Sequence, residues 1–242
     1  MRNLVCVLLS VVLALSAIAD NKNTTITTAP VTFDNLYKAK LYGFNVTVTN
    51  RLVDLGNNQF ELLFLAESMI GSVTETSRMQ WLPEKKTIQP LHYVYKRRGM
   101  GKKRDADLSF NWLEKSVLNN VDNSRWQMNI VDQVQDKLSY QIQLAQELKA
   151  GKKKFTYQIA DGGELKDYSF EVLGEELLDT PLGKVNTIKV KRSRSNNKRV
   201  TYAWVAPDWH HLLVRLQQEE GGKAYTIYIT QAKINGKSIG KF

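Results

Sequence analysis

Six cations, Lys96, Arg97, Arg98, Lys102, Lys103 and Arg104, fall within nine residues on either side of Gly99-Met100-Gly101. A glycine-flanked basic run between two alternating segments reads as a hairpin tip, and its chemistry is attraction of anions such as phospholipid or lipopolysaccharide head groups. Each such cation is worth about 1 kcal/mol at an anionic membrane surface before screening. The same charges also serve as a solvated guard against edge-to-edge strand pairing. Arg192, Arg194, Lys198 and Arg199 form a second basic tip, and the lysines of 152–154 a third cluster.

Other chemistries find less support. His210 and His211 are adjacent, and neighbours on a strand point to opposite faces, so they do not hold one ion together on a regular backbone. Asp161-Gly162-Gly163-Glu164 offers two carboxylates, but an acid/base dyad needs a buried pocket that splits their pKa values. Two glycines there supply the positive φ of a tight hairpin, so a turn is expected. Cys6 is the only cysteine and lies in the N-terminal apolar run. No Gly-x-Ser-x-Gly, His-Glu-x-x-His or phosphate-cradling loop is present. No catalytic residue, metal or cofactor is therefore assigned, and an enzyme is the least favoured class. Tyr93, Tyr95, Trp112, Trp126, Tyr202 and Trp204 lie on strand-like segments, in part at alternating positions. Large aromatics dominate β cores, while any that line an open concavity favour an apolar ligand. These six are the candidate lining residues.

The element that organises the rest is a helix expected over 132–151. Asp132 and Gln135 have capping-box spacing, and Lys149 before Gly151 suits a helix end. Val134, Leu138, Ile142, Ala145 and Leu148 fall on one face at about 100° per residue, and Tyr140 with Leu144 widens the apolar arc to roughly 200°. An arc this wide calls for cover on more than one side. On both sides of it the period is two. Phe44, Val46 and Val48 alternate with polar residues, Gly56-Asn57-Asn58 turns, and Phe60, Leu62, Phe64 and Ala66 follow. Strands continue to residue 130 and resume from 154 to 234, with turns at Gly162-Gly163, Pro181 and Gly221-Gly222. Pro90 implies an edge or entry position in its strand. The expected fold is mainly β, a curved antiparallel sheet or open half-barrel of about a dozen strands wrapping one central helix.

Arg2, an apolar run over 4–15 and Ala17-Ile18-Ala19 read as a signal peptide over 1–19, too short in its apolar part for a membrane span. Its removal deletes one cation and no acid, taking the formal charge from +10 to +9. A Thr-rich flexible linker is expected over 20–32 and one β-rich domain over 33–242. Nucleic acid would suit the charge but not the export, so the basic surface is matched to anionic lipid.

Tyr93-x-Tyr95 leading to Asp107, Phe110 and Trp112, the central helix, Leu173-Gly174, Thr180-Pro181-Leu182-Gly183, and then Trp204, Pro207, Leu213 and Arg215 resemble the exported bacterial family DUF3108. The resemblance spans most of the mature chain and implies compartment and fold rather than activity. The segment through Trp204, Pro207 and Leu213-Val214-Arg215 also looks like a strand pair of periplasmic lipoprotein carriers of the LolA and LolB type, which implies a half-barrel whose concave side holds an acyl chain. The reading is a periplasmic carrier or envelope-assembly factor for a lipid-like or lipoprotein ligand. The rival is an interaction protein with no small ligand, docking on an envelope protein through sheet edges and basic tips. An apolar pocket favours the first and a filled interior the second.

Overall fold

Alternation of period two becomes strand pairing along almost the whole chain. The structure, a computed structural model, describes residues 29–41, 43–99, 103–194 and 199–240. The expected signal peptide, most of the expected linker, Lys102 and Lys198 lie outside these residues, as does the Arg194 side chain. The first run of strands is β1 (Phe33–Leu41), β2 (Phe44–Gly56), β3 (Gln59–Ser68), β4 (Gly71–Leu82), β5 (Thr87–Gly99), β6 (Arg104–Asn111), β7 (Ser116–Val121) and β8 (Ser124–Asn129). Helix α1 (Ser139–Lys149) follows. The second run is β9 (Lys154–Ala160), β10 (Leu165–Thr180), β11 (Gly183–Arg194), β12 (Arg199–Ala206), β13 (Leu212–Glu220), β14 (Lys223–Ile234) and the short β15 (Lys237–Ser238).

One antiparallel sheet holds them all, in the order β8-β7-β6-β5-β4-β3-β2-β1-β14-β13-β12-β11-β10-β9, with β15 added to β14. The expected dozen strands are fifteen among the described residues. Pairing of β1 with β14 joins the two runs, Phe33 standing opposite Ile234. Because every pair is antiparallel, the connections β1–β2, β3–β4, β5–β6, β7–β8, β9–β10, β11–β12 and β13–β14 share one end of the sheet, here the upper end. Two of the three basic clusters, those around 96–104 and 192–199, thereby meet at that end, and 152–154 lies at the other.

The sheet curls until its edge strands approach each other. Trp126 of β8 lies against Gly163 in the β9–β10 turn, where a Cβ would stand 2.1 Å from the indole. Between the edges the chain after β8 runs upward, and Gln135 bridges β9: its N–H donates to the Gln158 carbonyl (2.9 Å) and its carbonyl accepts from Ala160 N–H (2.8 Å).

That bridge corrects the expected helix start. Gln133 has a left-handed φ of 67° and Gln135 is extended, so Asp132 caps nothing and the helix begins at Ser139. Asp136 does the capping, since its Oδ1 accepts from the N–H of Leu138 and of Ser139, both at 2.7 Å, while its own N–H donates to Ser139 Oγ. The far end is as expected. Gly151 at φ 79° donates to the Leu148 carbonyl and Lys152 to that of Glu147, a Schellman closure. Pro90 sits in an interior strand, beside an irregularity in the β4–β5 register and just ahead of the first β5–β6 pair at His92, where no ladder bond to β6 needs its missing N–H.

Helix α1 runs from the upper end down inside the curl. Val134 and Leu138, which precede it, and Ile142 pack with Leu62, Met79, Trp81, Ile88 and Leu108 of β3 to β6. Tyr140, Leu144 and Leu148 pack with Tyr157, Tyr168, Phe170 and Val190 of β9 to β11. Two side-chain amides fix it further: Gln143 Oε1 accepts from Ile88 N–H (2.7 Å) and Gln135 Nε2 donates to the Ile88 carbonyl (2.8 Å). A third cluster, around Tyr37, Val48, Leu182, Trp204, Trp209 and Ile229, contains no residue of α1.

Candidate functional site

Covered on two sides, α1 faces an opening on the third. A cavity of about 630 Å³ separates it from the inner faces of β1 to β3 and β12 to β14, a size within the usual range of small-molecule sites, about 300 to 1,000 Å³. Its wall is mainly aliphatic and aromatic: Tyr37 and Leu41 on β1, Val46, Val48 and Leu52 on β2, Phe64 on β3, Leu213 and Leu216 on β13, and Leu138 and Ile142 beside them. Period two puts alternate residues of each strand on this one face. Ala39, Ala66 and Ala203 occupy such positions, and their missing bulk leaves the space that larger side chains would fill. Residues 29–31, from the end of the expected linker, also lie along the wall, with Pro30 buried.

Polar groups gather at the two ends. At the upper end, Arg192 Nη1 donates to the Tyr140 hydroxyl (2.8 Å) and Nη2 to Thr201 Oγ1 (2.9 Å), with the guanidinium 4.9 Å from the Tyr168 ring centre. Arg199 pairs with Glu220 at 2.6 Å. Glu75, half-buried, accepts a short hydrogen bond from the Tyr93 hydroxyl, and burial raises its carboxyl above the usual range while Lys137 opposes the rise. Burial and the Glu75 charge push the Tyr93 phenol far upward as well. At the lower end His210 and His211 are both left-handed, φ 55° and 61°, and both line the cavity with Lys149. Burial lowers the His211 pKa, with Lys149 and His210 adding to the effect. The irregular backbone that would let both histidines face one side is thus present, yet no group of three metal-ligating side chains forms among the described residues. Between the ends, buried Asn50 Oδ1 has no hydrogen-bond partner among the described residues.

A smaller pocket of about 190 Å³ adjoins the upper end, lined by Tyr93, Tyr95, Arg104, Lys137, Asp161, Lys166 and Arg199. Asp161 sits between Lys137 (3.8 Å) and Lys166 (2.9 Å) with its side chain mostly buried, whereas Glu164 is exposed. The Asp161–Glu164 segment is the expected turn, closed by Asp161 N–H to the Glu164 carbonyl. Its first carboxylate belongs to this pocket instead of protruding.

None of the six candidate aromatics lines the large cavity. Tyr93 is buried in the core and, with Tyr95, lines the smaller pocket. Trp112 lies just past β6, bonded through Nε1 to the Pro90 carbonyl (2.7 Å). Trp126 is at the sheet edge, and Tyr202 and Trp204 point away from the cavity-lining Ala203. Trp204 is buried there between Lys189 and Arg215, 4.8 and 4.4 Å from its ring centre, and donates to Glu176. Of the basic tip, Lys96, Arg97, Arg98, Lys103 and Arg104 are exposed; Arg98 is clamped by Asp105 through two bonds of 2.5 and 3.1 Å, which holds that carboxyl below its ordinary value. Arg104 lines the smaller pocket. The residues that sequence reasoning missed are Arg192 and Arg199 as cavity groups, both having been placed on an external tip. Their positions in β11 and β12, alternating inward with Val190 and Thr201, were the available signal.

Comparison with known proteins agrees with this architecture. No curated protein matches the chain. Among solved structures, a crystal structure of a β-barrel-like protein of the domain of unknown function DUF1849 from Brucella abortus superposes with a TM-score of 0.60 at 9% identity, covering 86% of this chain and 99% of that one. At that identity the likeness is one of fold. The family model described as protein of unknown function (DUF3108) matches residues 69–230, from the upper turn before β4 through the helix and into β14, and the chain belongs to that family.

Proposed function

We propose that the protein is a non-enzymatic carrier or envelope-assembly factor of the periplasm, which shelters the apolar part of a lipid-like or lipoprotein ligand beside α1. The observation that carries this reading is the cavity of about 630 Å³ with its aliphatic wall, kept open by alanines where a filled core would have larger residues. Its titratable groups favour binding over catalysis. Glu75 and His211 lie near opposite ends of an 11-residue helix, about 16 Å apart along the axis, too far to act on one reacting atom. The upper end has the surface of a membrane-facing end. Exposed Leu41 and Phe44 beside the β1–β2 connection and Met69 at the β3–β4 turn share it with the basic β5–β6 tip, so apolar and cationic groups meet a bilayer together.

The test is binding of the neutral apolar fluorophore N-phenyl-1-naphthylamine, with native mass spectrometry of protein from its own envelope to detect co-purified lipid. Enhanced fluorescence is expected, and Ala203→Phe, which fills the wall, should weaken it while leaving the thermal midpoint near that of the parent. A parent protein that neither enhances the fluorophore nor carries lipid would return the cavity to a packing defect.

A further inference from the structure

We infer that the cavity's ligand is an amphiphile with an anionic head, carboxylate or phosphate, held by Arg192 with Arg199 beside it, its chain lying along α1. The inference rests on the carrier reading and adds the chemistry of the head and its seat. Five cations, Lys40, Lys137, Lys149, Arg192 and Arg199, and two carboxylates, Glu75 and Glu220, line the wall. Both carboxylates are engaged, Glu220 by Arg199 and Glu75 by the Tyr93 hydroxyl with Lys137 nearby. Among the described residues no carboxylate pairs with Arg192.

A guanidinium facing a mostly apolar enclosure without a counter-ion is costly unless something completes it. Tyr140 and Thr201 take one N–H each, out of five, and neither neutralises the charge. The Tyr168 ring covers one face of the guanidinium, which orients it without supplying an anion. The remaining donors have the geometry that binds a carboxylate or phosphate through parallel hydrogen bonds.

Arg199 holds Glu220 through Nε and Nη2, and its remaining N–H donors are placed to share the anion. Arg192 stands opposite Thr201 in the β11–β12 register, and Arg199 is two residues from Thr201 on the same face, making the two arginines diagonal neighbours roughly 7 to 8 Å apart at their backbones. Long side chains span that gap across one bound oxyanion. Arg199 and Lys137 line both the large cavity and the small upper pocket, where Arg104 and Lys166 add charge, so a bulkier head extends into cationic surroundings.

Displacement of N-phenyl-1-naphthylamine by amphiphiles of equal chain length tests this: laurate, dodecyl phosphate and neutral monolauroylglycerol, against the parent, Arg192→Gln and Arg192→Lys. Anionic ligands are expected to displace the fluorophore from the parent at roughly tenfold lower concentration than the neutral one. Arg192→Gln should lose that preference with the neutral ligand unchanged, and Arg192→Lys should keep part of it. Whichever anion is favoured, laurate or dodecyl phosphate, distinguishes a fatty-acid head from a phosphoryl head. Equal displacement by anionic and neutral ligands in the parent, or an anion preference intact in Arg192→Gln, overturns the inference and leaves the carrier reading standing. A parent that binds no fluorophore removes both. Equal thermal midpoints confirm that the variants are compared as folded proteins.

Discussion

Asp136 has no exposed surface, yet it is a carboxyl group at the start of a helix. Burial pushes its pKa up to about 6, against the hydrogen bonds from Ser77, Leu138 and Ser139 that favour the charged form. The hydrogen bonds explain why the residue is there, and the burial is what it costs. Because the folded value lies above the ordinary 3.8, protonation favours the fold: the contribution is complete below about 3.8 and is lost as pH rises through about 6. Asp136→Asn keeps an acceptor for the two helix N–H groups, lets its amide donate to Ser77 Oγ, and carries no charge. The stability of the variant relative to the parent is therefore expected to be highest at pH 7 and to fall by on the order of 3 kcal/mol between pH 7 and pH 4. Glu75, whose carboxyl is also raised by burial, titrates in both proteins and largely cancels in the difference. Urea midpoints at pH 7, 6, 5 and 4 measure it; a difference constant with pH would assign the titration to other carboxylates.

At the scale of elements, the helix and the basic hairpin show what local pattern can and cannot carry. The Schellman closure at Gly151 is a contact among neighbours, so Lys149 and Gly151 announce it. The helix start is decided by a bridge between Gln135 and Ile159 and a hydrogen bond that Asp136 accepts from Ser77, partners 24 and 59 residues away, and no capping motif encodes them. The basic hairpin was legible as a tip, but its charge count was not, because Asp105 takes up Arg98 across the pair. Among the described residues Lys96 and Arg97 make no ion pair with a carboxylate and Lys103 stands 3.7 Å from Asp105, so these three are the exposed tip cations on which the proposed contact with an anionic surface is tested. Changing these three to Ser should weaken binding to vesicles of phosphatidylglycerol and phosphatidylcholine several-fold at low salt and flatten its salt dependence. The Debye length shrinks from about 10 Å at 0.1 M to about 3 Å at 1 M, so parent and variant converge there. Exposed tips contribute little to folding, and the thermal midpoint should stay put. Vesicle sedimentation that gives equal binding at low salt would make the tip a solvated guard of its edge.

For the molecule as a whole, alternation and turn chemistry foretold an antiparallel sheet around a helix, while closure and cavity were out of reach. The curl that encloses the cavity depends on β1 meeting β14 across two hundred residues, as in Phe33 opposite Ile234 and, just beyond the strand ends, Thr32 with Asn235, and no local period contains such a pairing. The cavity follows from closure, since only then do Ala39, Ala66 and Ala203 come to surround one space; on separate strands each is merely a small residue. The aromatics could not mark the cavity for the same reason, because Trp204 faces away from the space that its neighbour Ala203 lines. Closure also protects the edges. Among the described residues strands β8 and β9 end the sheet and no register pairs them, and the Gln135 bridge gives β9 two hydrogen bonds, so a splayed barrel would offer unpaired backbone to other chains. The contact of Trp126 with Gly163 holds the gap. A Cβ on Gly163 would meet the indole at 2.1, 2.6 and 2.8 Å from backbone that is also left-handed at φ 99°. Gly163→Ala thus carries two penalties, a clash and a strained φ, and Trp126→Ala removes the first only. In a double-mutant cycle Gly163→Ala should cost less in the Trp126→Ala background, with a coupling of about 0.5 to 3 kcal/mol. Both single variants should raise the scattering of concentrated samples as the edges open. Strictly additive denaturation midpoints would mean that the indole swings clear of Gly163 without cost, and that the Gln135 bridge alone keeps the two edges together.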